Sequence, residues 1–222
     1  MFGINLTMNI MRSNFQDANE AFVYFYDLIR YTGVNFDNTK ALFNVGFTIH
    51  NPLHHLIHAD FRKWNNTYAE REWQWYLSGD PSAEEIAKYA PIWYKHMDDN
   101  KEVRSNYGWQ WKRNNQLDYI MNKLMGNPNS RHAAITIYDA KEWPTYTHDT
   151  PCTYAVQFTI LNDKLNMSVL MRSNDLWYGF CNDQYCFSML HKKAADMLNI
   201  EIGEYYHFAH NLHLYNDKLS EK

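Results

Sequence analysis

Two apolar runs, Cys152 to Leu161 and Lys164 to Met171, are separated by nothing but Asn162-Asp163. Both are rich in β-branched and aromatic residues, and a two-residue connection of types that tolerate positive φ allows only a tight hairpin. Shortly afterwards, between Asn182 or Asp183 and about Leu198, the apolar residues Met189, Leu190, Ala194, Met197 and Leu198 recur at helical spacing. A hairpin followed directly by a long helix asks for helices packed on a sheet, an α+β arrangement.

The rest of the chain fits that class. Ser13 or Asn14 is placed to cap a helix through about Ile29, with Gly33 available for a left-handed end. Lys40 to Ile49 alternates like a strand and Pro52 closes it. A helix is expected from Tyr68 to Leu77, stopped by Ser78-Gly79-Asp80-Pro81, and a short one opens at Ser82-Ala-Glu-Glu in the manner of a capping box. Asn106-Tyr107-Gly108-Trp109 reads as a turn, Asn115 to Met125 as a helix, and Ala133 to Tyr138 as a strand. Ile200 to Gly203 reads as a turn before a last strand, Tyr205 to Tyr215. No repeat, low-complexity tract or linker interrupts this order, so residues 1–222 read as a single domain of ample core size.

Composition excludes several function classes. A net charge of -4 offers no basic footprint for a nucleic acid polymer, although a mononucleotide needs only a few local arginines. Cys152, Cys181 and Cys186 lack paired zinc spacing and do not form a disulfide framework, which suits a reducing compartment. Met1 to Ile10 lacks the features of a leader, and no run approaches the roughly 18 to 20 apolar residues of a membrane span. A soluble, cytoplasmic protein without a membrane partner is expected. His54 and His58 would share a helix face within the histidine-rich stretch His50 to His58, but the glutamate of a zinc-protease motif is missing. Surface or interface histidines are the preferred reading, and no metal is expected.

Candidate chemistry gathers around a few residues. A lone cysteine is either a small buried hydrophobe or a nucleophile. Cys152 favours the second, because Pro151 precedes it, an irregular loop leads into it, and Arg172 lies one strand away, where a cation favours the reactive thiolate. Cys181 and Cys186 have no such setting and read as structural. Glu70 and Glu72 sit among Trp73, Trp75 and Tyr76, where partial desolvation would raise a carboxyl pKa toward the range of proton transfer, although a glutamate on a wet face is the more common case. The rings of Tyr107 and Trp109 either fill the core or wall a flat ligand.

In chain order, Thr32-Gly33, Glu72 to Leu77 with Gly79-Asp80, Ile92-Trp93, Tyr107-Gly108, Asn127-Pro-Asn-Ser-Arg131, Pro151-Cys152, Arg172-Ser-Asn-Asp175, Gly179 to Asp183 and His213-Leu-Tyr215 form nine blocks. Together they resemble the thymidylate synthase family, and within it the deoxycytidylate hydroxymethylase branch of bacteriophages, over roughly Tyr31 to Tyr215. The resemblance implies a thymidylate synthase fold: a mixed β-sheet flanked by helices, packed sheet to sheet in a homodimer with shared sites. It also implies covalent chemistry on a pyrimidine nucleotide, with 5,10-methylenetetrahydrofolate as co-substrate and the cytoplasm (of a host, for a phage protein) as location. Cys152 would add to ring carbon 6, Glu72 matches the catalytic glutamate, and Tyr107 and Trp93 match aromatic positions lining the site. Arg172 and Ser173 match the phosphate-binding pair, with Arg131 reaching in from a partner subunit. His213 and Tyr215 match the pair that bonds the sugar hydroxyl. Asp175 matches the aspartate at the pterin, with Gly179 on the same cofactor side.

Asn182 and Asp183 align with the base-reading position. Thymidylate synthases have asparagine where this chain has Asp183; a carboxylate accepts hydrogen bonds and so suits the amino group of cytosine, with one proton shared between Asp183 and the ring nitrogen. The alternative role of Asp183 is a helix N-cap. Thr153 after the cysteine agrees with the hydroxymethylase branch. The phosphate block holds Arg131-His132 in place of two arginines, Arg30 precedes Tyr31 where the family has its early arginine, and only Asn216 to Lys222 follows Tyr215, so a short closing segment is expected. The implied activity is deoxycytidylate (dCMP) 5-hydroxymethylation. Carbon 5 methylation of dCMP, hydroxymethylation of the ribonucleotide, a deoxyuridylate (dUMP) enzyme of thymidylate synthase type, and a non-catalytic nucleotide-binding or structural homologue are the alternatives.

Overall fold

The computed structural model describes residues 11–146 and 148–222, so the reading of Met1 to Ile10 lies outside the described residues. A short strand β1 (Asn14–Phe15) leads into helix α1 (Ala18–Thr32), and β2 (Val34–Phe36) turns into the long β3 (Thr39–Ile49). Helices α2 (Asn66–Ser78), α3 (Glu84–Ala87), α4 (Trp93–His96), α5 (Tyr107–Lys112) and α6 (Gln116–Gly126) follow. The second half alternates again: β4 (Ala134–Thr136), β5 (Thr153–Leu161), β6 (Lys164–Met171), β7 (Asn174–Asp175), α7 (Phe180–Leu198) and β8 (Glu201–Tyr215).

The strands form one mixed sheet in the order β1-β3-β8-β6-β5-β4, with β2 beside β3 and β7 beside β8. The expected hairpin is present, with Leu161 opposite Lys164 and Asn162 and Asp163 both at positive φ, 51° and 59°. Such a left-handed pair twists in the same sense as the flanking strands. β8 runs antiparallel to β3 and parallel to β6, so the long helix α7 acts as the crossover between β7 and β8. Tyr205, His207 and Ala209 of β8 are buried, and the ring of His207 stacks on Phe47 and meets Phe180 of α7. One core unites these residues with Phe22, Phe25 and Ile29 of α1, Trp73 and Tyr76 of α2, and Ile120 and Leu124 of α6. Side chains of opposite parity, Leu170, Tyr206 and His210, remain exposed, and so does Tyr154 at the bulge that opens β5.

Several local expectations are corrected. Ser13 and Asn14 do not cap α1, because the Ser13 carbonyl accepts from Thr48 N at 2.8 Å and Asn14 pairs in the sheet. Asp17 caps instead, its carboxylate accepting from Glu20 N at 2.8 Å. Gly33 ends the helix in an extended conformation (φ -61°), not a left-handed one. A side chain there would stand 2.5 Å from the Ile29 carbonyl oxygen, so the glycine is set by space. No capping box forms at Ser82: α3 begins after Ala83 without a side-chain cap. Asn106 is a true cap, bonded to Trp109 N at 3.1 Å, so the expected turn is the start of α5. His54 and His58 lie in an irregular segment and share no helix face. The strand expected from Ala133 to Tyr138 shortens to Ala134–Thr136, while Ile200 to Gly203, expected as a turn, largely joins β8 after Asn199 ends α7 at φ 53°. Among the described residues, no helix is long and apolar enough to cross a membrane.

The cap assignment is directly testable. Asp17→Ala should lower unfolding stability by about 1 kcal/mol, while Ser13→Ala should change it by less than about 0.5 kcal/mol, both read from denaturant melts. Equal effects would return the cap to the earlier residue.

Candidate active site

A cavity of about 470 Å³ opens between α2, α5, β7 and the first turn of α7, within the size range of small-molecule sites. Its lining includes Glu72, Trp93, Tyr107, Cys152, Ser173, Asp175, Gly179, Asn182 and Asp183, nine of the residues singled out in the sequence.

Glu72 sits at its floor. It is 6% exposed, and its Oε1 accepts from the phenols of Tyr68 at 3.0 Å and Tyr76 at 3.1 Å. These tyrosines lie four residues before and after it on α2, the spacing that stacks side chains on one helix face. Burial outweighs the two donors and raises the Glu72 carboxyl to about 7. The desolvated reading of Glu72 therefore replaces the wet-face one. Tyr68 also accepts from the Trp93 indole at 2.7 Å, so a chain of hydrogen bonds links the Trp93 wall to Glu72. Gly108 permits the close approach of α5: a Cβ there would lie 2.2 Å from the Tyr76 backbone. Tyr107 is thereby set beside Tyr76 and stacked on Phe187. Burial pushes its phenol well up, with Asp183 and Cys152 adding to the effect.

Cys152 stands one residue before β5. Arg172 ties its loop down, donating from Nε to the Pro151 carbonyl at 3.0 Å and from Nη2 to the Thr150 carbonyl at 2.8 Å. The same Nη2 is 3.7 Å from the Cys152 sulfur. The expectation that this cation favours the thiolate is only partly met. Burial raises the Cys152 thiol to about 12; Arg172 works against that, and Asp149, Asp183 and Asp175 reinforce it. The sulfur is thereby held toward its protonated form.

Asp183 lies in the first turn of α7, which begins at Phe180, so it is not the N-cap. Its Oδ2 accepts from Asn174 Nδ2 at 2.7 Å. Burial, and then the charge of Glu72, push its carboxyl well above the usual range. Asp175 on β7 accepts from the backbone N–H groups of Trp177 and Tyr178 at 2.8 and 3.2 Å, yet burial still raises it to about 6. The Asn182 amide is held by the protein itself, accepting from the Trp64 indole at 3.0 Å and donating to the Tyr178 carbonyl at 2.9 Å.

Four expected residues do not line the cavity: Arg131, Arg172, His213 and Tyr215. Arg172 remains adjacent through Cys152. His213 pairs with Asp175 across β7 and β8, its ring 5.6 Å from Tyr215, which in turn stands 6.5 Å from the cavity residue Tyr178. Arg131 is exposed on the loop before β4, beside Gln157 and Leu161 of the hairpin. Arg30 is not brought in either; it faces Asp27 and the Tyr26 ring. Of the other two cysteines, both buried, Cys186 lies under the floor, 4.0 Å from Glu72 Oε2.

Sequence reasoning missed several wall residues. Tyr68 and Tyr76 carried a signal in their spacing from Glu72. Arg62, Trp64 and Ser105 carried none, since they arrive from distant loops, whereas Asp149 lies in the loop that leads into Cys152; Arg62 donates to the Trp177 carbonyl at the mouth, and Ser105 bonds to Asp149. Among the described residues no group of three His, Cys, Asp or Glu side chains is arranged to hold a metal ion.

The family pattern described as thymidylate synthase matches residues 33–221, and the chain belongs to that family. It is 28% identical over 192 residues to the deoxyuridylate hydroxymethyltransferase of Bacillus phage SP01, a match covering 78% of this chain and 49% of that protein. The deoxycytidylate 5-hydroxymethyltransferase of Enterobacteria phage T4 is 37% identical over 132 residues, 55% of this chain and 53% of its own. A thymidylate synthase from Fusobacterium nucleatum is 28% identical over 176 residues, 76% of this chain and 64% of its own. The chain spans about half the length of the two phage proteins it matches.

The burial of Glu72 has a thermodynamic consequence. A carboxyl raised from 4.5 to about 7 keeps its proton in the folded state after the unfolded chain has lost it. Native stability therefore falls as pH rises between those values, by up to about 3 kcal/mol, and is level above them. Glu72→Gln should lose that slope, gaining about 2 to 3 kcal/mol on the native protein between pH 5 and pH 8 in urea melts. A constant difference between the two proteins would contradict the desolvated carboxyl.

Proposed function

We propose that this member of the thymidylate synthase family acts, as a single domain, as a deoxycytidylate hydroxymethyltransferase, building 5-hydroxymethyl-dCMP through a covalent bond to Cys152. The observation that carries the reading is Asp183, a carboxyl in the same cavity as Cys152 and Glu72 and held toward its protonated form. A neutral acid offers one O–H donor and one acceptor. Cytosine presents an unprotonated ring nitrogen beside an amino group, which such an acid matches when its proton lies on the oxygen facing the ring nitrogen; uracil presents the reverse and needs the proton on the other oxygen. The T4 relative, named for deoxycytidylate, agrees with this choice.

In this reading the Cys152 sulfur bonds to carbon 6 of the base as its proton leaves, and carbon 5 gains the electron pair. Since burial holds the thiol toward its protonated form, attack is coupled to transfer of that proton to solvent water, with Arg172 steadying the charge that builds on the sulfur. The family uses methylenetetrahydrofolate, which supplies the one-carbon unit when bound. Trp93 and Ile92 form a wall suited to a flat ring, and Asp175 offers a carboxyl to its N–H groups. Carbon 5 would then bond to the folate-borne methylene; Glu72, poised near 7 and linked to Tyr68 and Tyr76, would take the carbon 5 proton as tetrahydrofolate departs with the electrons of its carbon–nitrogen bond, and would then activate the water that adds to the exocyclic methylene left on the base. Loss of sulfur from carbon 6 restores the ring and frees the product.

Ser173 and Arg172 receive the phosphate, and His213 with Tyr215 the sugar hydroxyl. Arg172 Nη1 makes no hydrogen bond to the described residues, so this end of the guanidinium is open to an anion. The exposed sheet face of Tyr154, Leu170 and Tyr206 is the surface on which a second copy packs, and the position of Arg131, away from its own chain's cavity, suits delivery to the partner's phosphate. Three unpaired cysteines suit a reducing cytoplasm.

A uracil nucleotide is the second reading, favoured by the SP01 relative, which is named for deoxyuridylate and matched over more of the chain. Tritium release from carbon 5 of labelled dCMP and dUMP, with and without methylenetetrahydrofolate, followed by product mass, separates the two. Folate-dependent turnover of dCMP to a hydroxymethyl product is expected. Turnover of dUMP alone would overturn the base assignment, and a methyl product would overturn the water step.

A further inference from the structure

We infer that Asn174 is a positioning residue for base choice, because its amide decides which oxygen of Asp183 accepts and which is left to donate. The inference rests on the reading that Asp183 faces the base. Asn174 is 2% exposed, lines the cavity, and is pinned in the sheet opposite Leu212. Its Nδ2 donates to Asp183 Oδ2 at 2.7 Å, while its own Oδ1 is buried without a partner among the described residues. Gly179 closes over the pair: a Cβ there would stand 3.3 Å from Asp183 Oδ2 and 3.4 Å from Asn174 Nδ2. A larger residue would crowd both polar atoms.

An N–H aimed at Oδ2 keeps that oxygen an acceptor, so the acid proton belongs on Oδ1. With Oδ1 toward the ring nitrogen and Oδ2 toward the exocyclic group, Asp183 then offers O–H to the first and a lone pair to the second, the pattern cytosine needs. An amide at position 183 has no such fixed answer, since its two ends differ and its neighbour chooses between them. Beside the Asn174 donor it turns its oxygen to Asn174 and its NH2 to the base, which suits the uracil carbonyl. Beside a carboxylate at position 174 it turns its NH2 to that carboxylate and its oxygen to the base, which suits the cytosine amino group. Base preference is thus a property of the pair.

The test measures the ratio of kcat/KM for dCMP over dUMP, and the Kd of each nucleotide without folate, in the native protein, D183N and N174D/D183N. D183N should move both ratios toward dUMP, and the double variant should return them toward dCMP by at least about tenfold, on the scale of one well-formed base contact. An unshifted ratio in D183N would overturn the base-reading role of Asp183 and this inference with it. A shift in D183N that the double variant leaves in place would overturn the role of Asn174 alone. Should the double variant fail to fold, Asn174→Ala in the native background decides: a dCMP preference narrowed by about tenfold is expected, and an unchanged ratio would overturn the inference.

Discussion

Glu72 and Asp183 are fully desolvated within one cavity, and most of the site follows from that constraint. Glu72 on α2 and Asp183 on α7 come from helices that pack together, and the charge of the first helps to keep the second protonated. Neither forms a salt bridge among the described residues. Phenols and an amide surround them instead, Tyr68 and Tyr76 on Glu72 and Asn174 on Asp183. A buried acid with neutral donors keeps its proton near neutral pH, whereas a buried acid beside a cation gives it up. The cavity therefore holds its acids toward the protonated form, and its sulfur follows the same rule: burial raises the Cys152 thiol although Arg172 is in contact.

The sheet explains how residues far apart in sequence reach this cavity. β7 is only Asn174–Asp175, yet its pairing with β8 fixes two wall residues at adjacent positions. The turn that follows delivers Gly179, Asn182 and Asp183 on α7. The hairpin supports the same region, with Cys152 just before β5 and Arg172 just after β6, across from one another. The Cys152 carbonyl accepts from Arg172 N at 2.7 Å, so the cysteine and the cation beside it are joined through the backbone as well.

Much of this was legible in the sequence where local rules decide. The Asn162-Asp163 hairpin, α2 with its left-handed Gly79 end, and the long α7 follow from spacing and turn chemistry. Local rules failed where a distant partner intervened: Ser13 and Asn14 could cap a helix, but the edge of β3 claims their backbone first. At the site, the resemblance supplied nine wall residues, because chemistry demands those types. It supplied neither the proton on Cys152 nor the hold of Asn174 on Asp183. Desolvation and side-chain geometry depend on the packed whole, and Asn174 lay unassigned between two residues that the pattern had already claimed.

The central claim is a cytosine nucleotide bonded to Cys152 while Asp183 reads its base. Fluorine in place of the carbon 5 hydrogen cannot leave as a cation, so a nucleotide carrying it stalls after the sulfur and one-carbon bonds have formed. The most direct measurement is the intact mass of the protein after incubation with methylenetetrahydrofolate and either 5-fluoro-dCMP or 5-fluoro-dUMP, followed by peptide mapping. A lasting adduct with the cytosine compound is expected, containing both nucleotide and folate and mapping to Cys152. An adduct with the uracil compound alone, or one on a different residue, would contradict it.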